Sequence, residues 1–417
     1  MIAEIICIGD ELLTGATVNS NAAFIGEQLT RAGIDVGWVT AVGDRADRMI
    51  ETLEKAVMRA RLLFITGGLG PTHDDITKTV IADFFRRSLI FHADIYEKLE
   101  KFFQARKWPV PSSNRIQAEI PEGAVILDNP LGTAPGFYIH DKIKNRSVHC
   151  FVMPGVPSEM QKMLTENVLP VLKKARFNRL FLSKTIHTIG IGESVLNQKL
   201  RGFRKQFPRI RLASLPNPQG VSLRISLYSV KEPRASASFE EAILFIRRIA
   251  GRFVYGEDEE TLESVVGGLL TRKKLKISVA ESCTGGLISH RLTNIPGSSA
   301  YFVQGLVTYS NLSKIDLLFV PKSTIEKYGA VSAETAMAMA EGVRRRSRAD
   351  VGLAVTGIAG PDGGTNDKPV GLTFIGYADE SQSLTERYHF GKDRLLNKMR
   401  SAGYAVDLVR RILQDST

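Results

Sequence analysis

A chain of 417 residues with 43% hydrophobic and 24% charged side chains has the apolar content to bury two or three cores, which excludes a disordered chain. Its net charge of +11 is uneven, because residues 173–256 carry +13 and the remainder −2, so only that middle segment has the charge to meet nucleic acid or another polyanion. A solvated face or an intersubunit contact is the commoner explanation of such a charge run. No apolar run approaches the roughly 20 residues of a membrane-spanning helix. The opening residues, MIAEIICIGDELL, have no basic lead and carry carboxylates within their apolar stretch, unlike a signal peptide. A soluble cytoplasmic protein is expected. Cys7, Cys150 and Cys283 are too few and too scattered for a disulfide framework or a zinc site. Any metal would rest mainly on carboxylates, which favours magnesium or manganese.

The first 170 residues alternate strand and helix signals. Residues 4–8 read as a strand, 19–33 as an amphipathic helix, 34–42 as a strand, 46–60 as a helix and 62–66 as a strand. Such alternation predicts an α/β domain with a parallel sheet covered on both faces and ligands beyond the carboxyl ends of its strands. Residues 175–256 read strand (180–189), helix (194–206), strand (210–215), strand (221–228) and helix (239–252), with Pro216-Asn217-Pro218-Gln219-Gly220 as a turn. This is a small α+β module of βαββα order. Nucleic-acid modules of the KH type have related order but clamp the backbone with a GXXG loop. Only Gly190-Ile191-Gly192-Glu193 stands here, which disfavours nucleic acid. A second α/β region follows, with strands at 276–280, 302–309, 350–356 and 371–378 and helices from Thr284, at 332–346 and at 395–413. The expected domains are 1–172, 173–256 and 257–417.

Chemistry-bearing residues gather at the strand ends. The loop Gly67-Gly68-Leu69-Gly70-Pro71-Thr72-His73-Asp74-Asp75 offers glycines, Gly68 and Gly70 among them, for close approach to a phosphate. A helix starting near Asp74 would add its positive end. Asp74 and Asp75, with Asp10, Glu11 and Asp44 from neighbouring strand ends, can hold a divalent ion. Helix capping accounts for the aspartate pair equally well. The turn-rich motifs 129–137 and 153–160 either line the same pocket or are tight structural loops. In the third region Glu281-Ser282-Cys283-Thr284-Gly285-Gly286 joins a strand to a helix. There a serine hydroxyl points outward, and the N–H groups that follow can stabilise an oxyanion. The base such a serine needs is offered by Lys314, with Tyr309 beside it. Cys283 is either a rival nucleophile or a small buried residue. Gly357, Ala359 and Gly360 form a close-approach loop suited to a phosphate or ribose. Arg394, Lys398 and Arg400 open the last helix, where they either hold a phosphate or are plain surface charge.

These motifs resemble, nearly over the full length and in order, those of the CinA family (competence/damage-inducible protein A). The N-terminal part resembles its molybdopterin-binding-like domain through Gly9-Asp10-Glu11, Asn21, Val42-Gly43-Asp44 and the loop 67–77. The C-terminal part resembles its nicotinamide-nucleotide amidase domain through 281–286, 307–311 with Lys314, 357–364 and 368–371. The resemblance implies two hydrolyses in pyridine nucleotide salvage. One is deamidation of nicotinamide mononucleotide, with Ser282 as nucleophile, Lys314 and Tyr309 assisting and no cofactor. The other is hydrolysis of ADP-ribose in the N-terminal domain with a divalent metal (magnesium, manganese or cobalt) held by Asp10, Asp74 and Asp75. It further implies substrate contacts at Asn21, Gly68, Gly70, Thr284, Gly285, Gly286, Gly357, Ala359, Gly360, Arg394 and Arg400, a KH-like middle domain, a homodimer and no membrane partner. An N-terminal domain that binds a pterin or nucleotide without turnover is the alternative. The chain departs from the family pattern at Thr79, where relatives usually carry glutamate, and at Lys392, where they usually carry glycine.

Overall fold

The computed structural model of the chain describes residues 2–174, 180–229 and 233–415. One compact unit is built from residues up to Leu182, the other from Ser183–Leu227 and from Ser236 onward. In the first unit β1 (Ile2–Ile8), β2 (Asp35–Val42), β3 (Leu62–Thr66), β4 (Val125–Leu127), β5 (Gly136–Ile143) and β6 (Arg146–Met153) form one sheet in the order β2-β1-β3-β6-β5-β4. The pairs β1–β2, β1–β3 and β3–β6 are parallel, as the strand–helix alternation predicts. The sheet is then extended by antiparallel β5 and β4. Between β5 and β6 lie only Lys144 and Asn145, with φ of 49° and 62°. Positive φ at both central residues is what a two-residue hairpin loop requires.

The inner strands are buried on both faces, because alternate side chains point to opposite cores. Ile5, Cys7 and Phe64 pack with Ile25 and Leu29 of α1 (Ser20–Arg31). Ile6, Ile8, Leu63 and Ile65 pack with Met49 and Leu53 of α2 (Ala46–Arg59). α1 starts where the sequence places it, with the Asn19 side chain accepting from Ala22 N at 3.0 Å. α3 (Thr77–Phe84) opens at Thr77 rather than near Asp74. The Asp75 carboxylate accepts the Thr72 N–H at 3.0 Å and the Thr72 hydroxyl, which sets 72–75 as a turn of its own ahead of the helix.

The second unit opens with a four-stranded sheet of β7 (Leu180–Thr188), β8 (Arg211–Asn217), β9 (Gly220–Ser229) and β10 (Val254–Glu257), ordered β8-β9-β7-β10. The helices are α4 (Glu193–Lys199), α5 (Phe203–Gln206) and α6 (Pro233–Ala250). The βαββα order is present with two differences. The helix expected over 194–206 breaks into α4 and α5 just before Phe203, where Gly202 weakens helix formation. β10 adds a strand antiparallel to β7. β8 and β9 pair through to Asn217↔Gly220, so the turn signals at 216–220 mark a hairpin tip.

The C-terminal sheet comprises β11 (Ile277–Glu281), β12 (Phe302–Val307), β13 (Val351–Gly357), β14 (Leu372–Ala378) and β15 (Ser383–His389), ordered β12-β11-β13-β14-β15. β11 runs parallel to β12 and β13, and β14 and β15 continue antiparallel. Around it lie α7 (Leu262–Lys273), α8 (Leu287–Thr293), α9 (Asn311–Leu318), α10 (Lys322–Tyr328), α11 (Ala333–Ser347) and α12 (Arg394–Asp415). One face packs Val279, Leu353 and Val355 against Ala402, Val406 and Val409 of α12. The other packs Ala280 and Ala354 against Met339 and Val343 of α11. No helix among the described residues is long and apolar enough to cross a membrane.

Candidate active site

β11 ends at Glu281 at the carboxyl edge of the sheet, and the chain turns at once. Gly285 and Gly286 take φ of +61° and +93°, left-handed values that favour glycine, so α8 begins at Leu287 rather than at Thr284. The fully buried Glu281 carboxylate holds this turn. It accepts from the N–H groups of Gly286, Ile288 and Ser289 at 3.0, 3.1 and 2.8 Å and from the Ser289 hydroxyl at 2.7 Å. Gly285 N also donates, to Ser282 O at 3.1 Å. The amides of Gly285 and Gly286 therefore serve the turn itself. Glu281→Ala would strand these donors in a buried setting, and a loss of about 3 kcal/mol or more in unfolding free energy is expected. The urea midpoint measures it, and an unchanged midpoint would contradict this role.

Ser282 stands at this corner, 8% exposed, and Lys314 reaches it from α9. Lys314 Nζ lies 3.2 Å from Ser282 Oγ, 2.8 Å from Thr308 O and 3.3 Å from Tyr309 O. The lysine is only 1% exposed. Burial lowers its pKa from 10.5 to about 8. The two carbonyls hold two N–H bonds in either protonation state. When the third proton leaves, the lone pair faces the serine hydroxyl. Cys283 differs, since burial pushes its thiol up to about 12 and keeps it protonated at neutral pH. α9 was not foreseen in the sequence, although its start signal is there: Ser310 Oγ caps it by accepting from Ser313 N at 3.1 Å.

The loop after β13 closes the site. Ala359 O accepts from Asn397 Nδ2 at 3.0 Å, and Gly360 O accepts from Arg394 Nη1 at 2.6 Å. Arg394 Nη2 donates to the Tyr309 hydroxyl at 3.2 Å, and the tyrosine is 63% exposed. Tyr309 thus faces Lys314 with its backbone carbonyl and Arg394 with its hydroxyl. Lys398 approaches Gly285, its Nζ 3.5 Å from where a Cβ would stand. Arg400 turns elsewhere and donates to Pro218 O at 3.0 Å. Asn397, which the motif reading missed, is 2% exposed, and its Oδ1 has no hydrogen-bond partner. Thr284 Oγ1 and Thr308 Oγ1 are likewise buried and unpaired.

At the carboxyl edge of the N-terminal sheet, Asp10 N donates to Asp44 Oδ2 at 2.9 Å and Asp44 N to Asp10 Oδ1 at 3.2 Å. Partial burial, and then the charges of Asp10, Glu11 and Asp74, raise the Asp44 carboxyl above its ordinary value. Asp74 is exposed, and its hydrogen bond with Thr72 lowers it. A Cβ at Gly68, where φ is +65°, would run into Thr77 Oγ1, and one at Gly70 would have to push aside the Asp75 carboxylate. Asn21 donates to Thr66 Oγ1 at 3.1 Å and to Gly155 O at 2.7 Å, while its own Oδ1 is buried and unpaired. It borders a cavity of about 90 Å³ with Cys7, Glu11, Asn19 and Thr66. The motifs 129–137 and 153–160 are tied together by Asn129 Nδ2, which donates to Glu159 Oε2 at 2.7 Å and to Ala134 O at 2.8 Å. No three His, Cys, Asp or Glu side chains among the described residues form a metal-holding group. Magnesium seldom needs one, because it is usually bound through one or two carboxylates with substrate phosphates and water. The crowded carboxylates fit such an ion in kind.

Comparison with known proteins accounts for the whole chain. Three family models match in succession: "Probable molybdopterin binding domain" over residues 4–174, "Damage-inducible protein CinA KH domain" over 183–256 and "CinA C-terminal domain" over 259–413. A putative competence-damage inducible protein of Caldicellulosiruptor bescii is 42% identical over 415 residues, 100% of each chain. One of the same description from Halothermothrix orenii is 43% identical over 417 residues, again 100% of each. A crystal structure described as competence/damage inducible protein CihA from Agrobacterium tumefaciens is 41% identical, spanning 37% of this chain and 93% of that one with a TM-score of 0.36. With end-to-end relatives at this identity and the three family models in this order, the chain belongs to the CinA family.

Proposed function

We propose that the C-terminal domain is an amidohydrolase that converts nicotinamide mononucleotide and water to nicotinate mononucleotide and ammonia. The observation that carries this reading is a buried lysine amine 3.2 Å from a serine hydroxyl at a strand-to-helix corner. Ser282 Oγ attacks the carboxamide carbon while its proton passes to Lys314 Nζ. As the C–N bond breaks, Lys314 returns the proton to the departing nitrogen, and ammonia leaves. Water then attacks the acyl ester with Lys314 as base, and its proton restores the Ser282 hydroxyl. Arg394 and Lys398 supply positive charge for the substrate phosphate. The unpaired Thr284 Oγ1, Thr308 Oγ1 and Asn397 Oδ1 are natural partners for a polar ligand. Ammonia release from nicotinamide mononucleotide by the full chain tests the reading, and absence of product from folded protein overturns it.

A second reading concerns the N-terminal domain and rests on the reciprocal bonds of Asp10 and Asp44 at the carboxyl edge of its sheet, with Glu11 following Asp10 in the chain. In this reading the domain hydrolyses ADP-ribose and water to AMP and ribose 5-phosphate. A bound divalent ion would neutralise diphosphate charge and activate water. Asp10, Asp74 and Asp75 would hold it, with the Thr72 hydroxyl fixing the orientation of the Asp75 carboxylate. AMP release is expected to fall at least about tenfold with a chelator and to return with added magnesium, manganese or cobalt. Chelator-resistant release would overturn the carboxylate argument. Tight binding without product would favour a pterin or nucleotide binding module.

A further inference from the structure

The middle module has no part in the chemistry proposed so far, yet its hairpin tip reaches both helices that frame the C-terminal site. The tip is set by its own bonds. Asn217 Oδ1 accepts from Gln219 N and Gly220 N, both at 3.0 Å, and Gly190 N donates to Gln219 O at 3.1 Å. With its amide turned to satisfy the donors around it, Gln219 accepts from Arg291 Nη1 at 2.6 Å and Nη2 at 3.0 Å. Arg291 lies on α8, the helix that leaves the Ser282 turn, and also pairs with the nearly buried Glu263 of α7. On the other side the tip meets α12. Pro218 O accepts from Arg400 Nε, and the Gln219 side chain lies so close to Gly403 that a Cβ there would stand 2.4 Å from it. α12 begins with Arg394 and Asn397, which hold the loop carbonyls of Gly360 and Ala359. Further along, Arg410 anchors α12 to the same module by donating to Arg252 O at 2.9 Å and Val254 O at 3.2 Å.

We propose that the hairpin tip of the middle module is a positioning element of the C-terminal site, with Gln219 locking the helix that follows Ser282 to the helix that presents Arg394 and Asn397. Gln219 touches no reacting atom. It acts by fixing the spacing between two helices, and a site held loosely by its supporting residues loses substrate alignment. The assignment rests on the amidase reading for its functional consequence but not for its structural one.

The experiment therefore has two readouts on the full chain. Gln219→Ala removes the acceptor for Arg291. Gly403→Ala displaces the Gln219 side chain while favouring the helix that carries it. Both are expected to speed amide hydrogen exchange in segments 282–291 and 394–403 by about tenfold, with β1 and β3 unchanged. Both are expected to raise KM for nicotinamide mononucleotide by about tenfold with kcat within about twofold. Gln219→Glu, which keeps an acceptor for Arg291, is expected to retain wild-type exchange and KM. Unchanged exchange in both alanine variants overturns the positioning role whether or not the chain is active. Loss of kcat alone, without faster exchange, also overturns it. A wild-type chain that releases no ammonia refutes the amidase reading, and the exchange data still decide the bracing.

Discussion

Ser282→Ala is expected to reduce ammonia release from nicotinamide mononucleotide by about 10⁶-fold, the order of the loss when a serine protease loses its nucleophile. The loss should fall on kcat, with KM changed little, because the hydroxyl enters the reaction only as the new bond forms. Stability should hardly move. Ser282 N still pairs with Val355 O at 2.9 Å, and the turn still hangs on Glu281. Ammonia-release kinetics with a thermal melt of the same sample check the prediction. Full activity in Ser282→Ala would make another group the nucleophile. Cys283 is a poor substitute, because its thiol is protonated well above neutral pH.

Lys314→Met is expected to cost about 10³-fold in kcat/KM, within the 10²–10⁴ range of a positioned general base. Methionine fills the same buried channel but cannot accept the serine proton. The wild-type rate carries a pH signature. The amine must be neutral to act as base, so kcat/KM should rise about tenfold per pH unit on the acid side and level off near pH 8. Stability should follow the same group. Its folded pKa of about 8 lies below the unfolded value of 10.5, so the unfolded chain holds more protons between those values. Unfolding free energy therefore rises with pH across that window, and the contribution is lost as pH falls through 8. Lys314→Met should remove both the rise in rate and this part of the stability profile. A rate profile flat from pH 6 to 9 in the wild type would exclude Lys314 as the base.

The parallel half of each α/β sheet was legible because its strands are apolar on both faces and its helices carry start signals. Leu62–Thr66 and the Asn19 cap are cases in point. The antiparallel halves were harder. β5 and β6 meet through Lys144-Asn145, a loop without glycine, and β15 (SLTERYH) alternates polar residues with few apolar ones. The Ser282–Lys314 pair was visible as two motifs, but the helix that joins them in space was not, because α9 is only eight residues long. Asn397 and Gln219 escaped because each acts through carbonyls or helices distant in sequence. The start of α3 was misplaced because Asp75, which resembles a helix cap, bonds backwards to Thr72 instead.

The proposed nucleophile and the carboxylate that organises its turn are chain neighbours, Ser282 and Glu281. A substitution in this segment therefore bears on folding and on the proposed turnover together. The start of α12 is bound in the same way, because Arg394 holds Gly360 O and the Tyr309 hydroxyl and Asn397 holds Ala359 O.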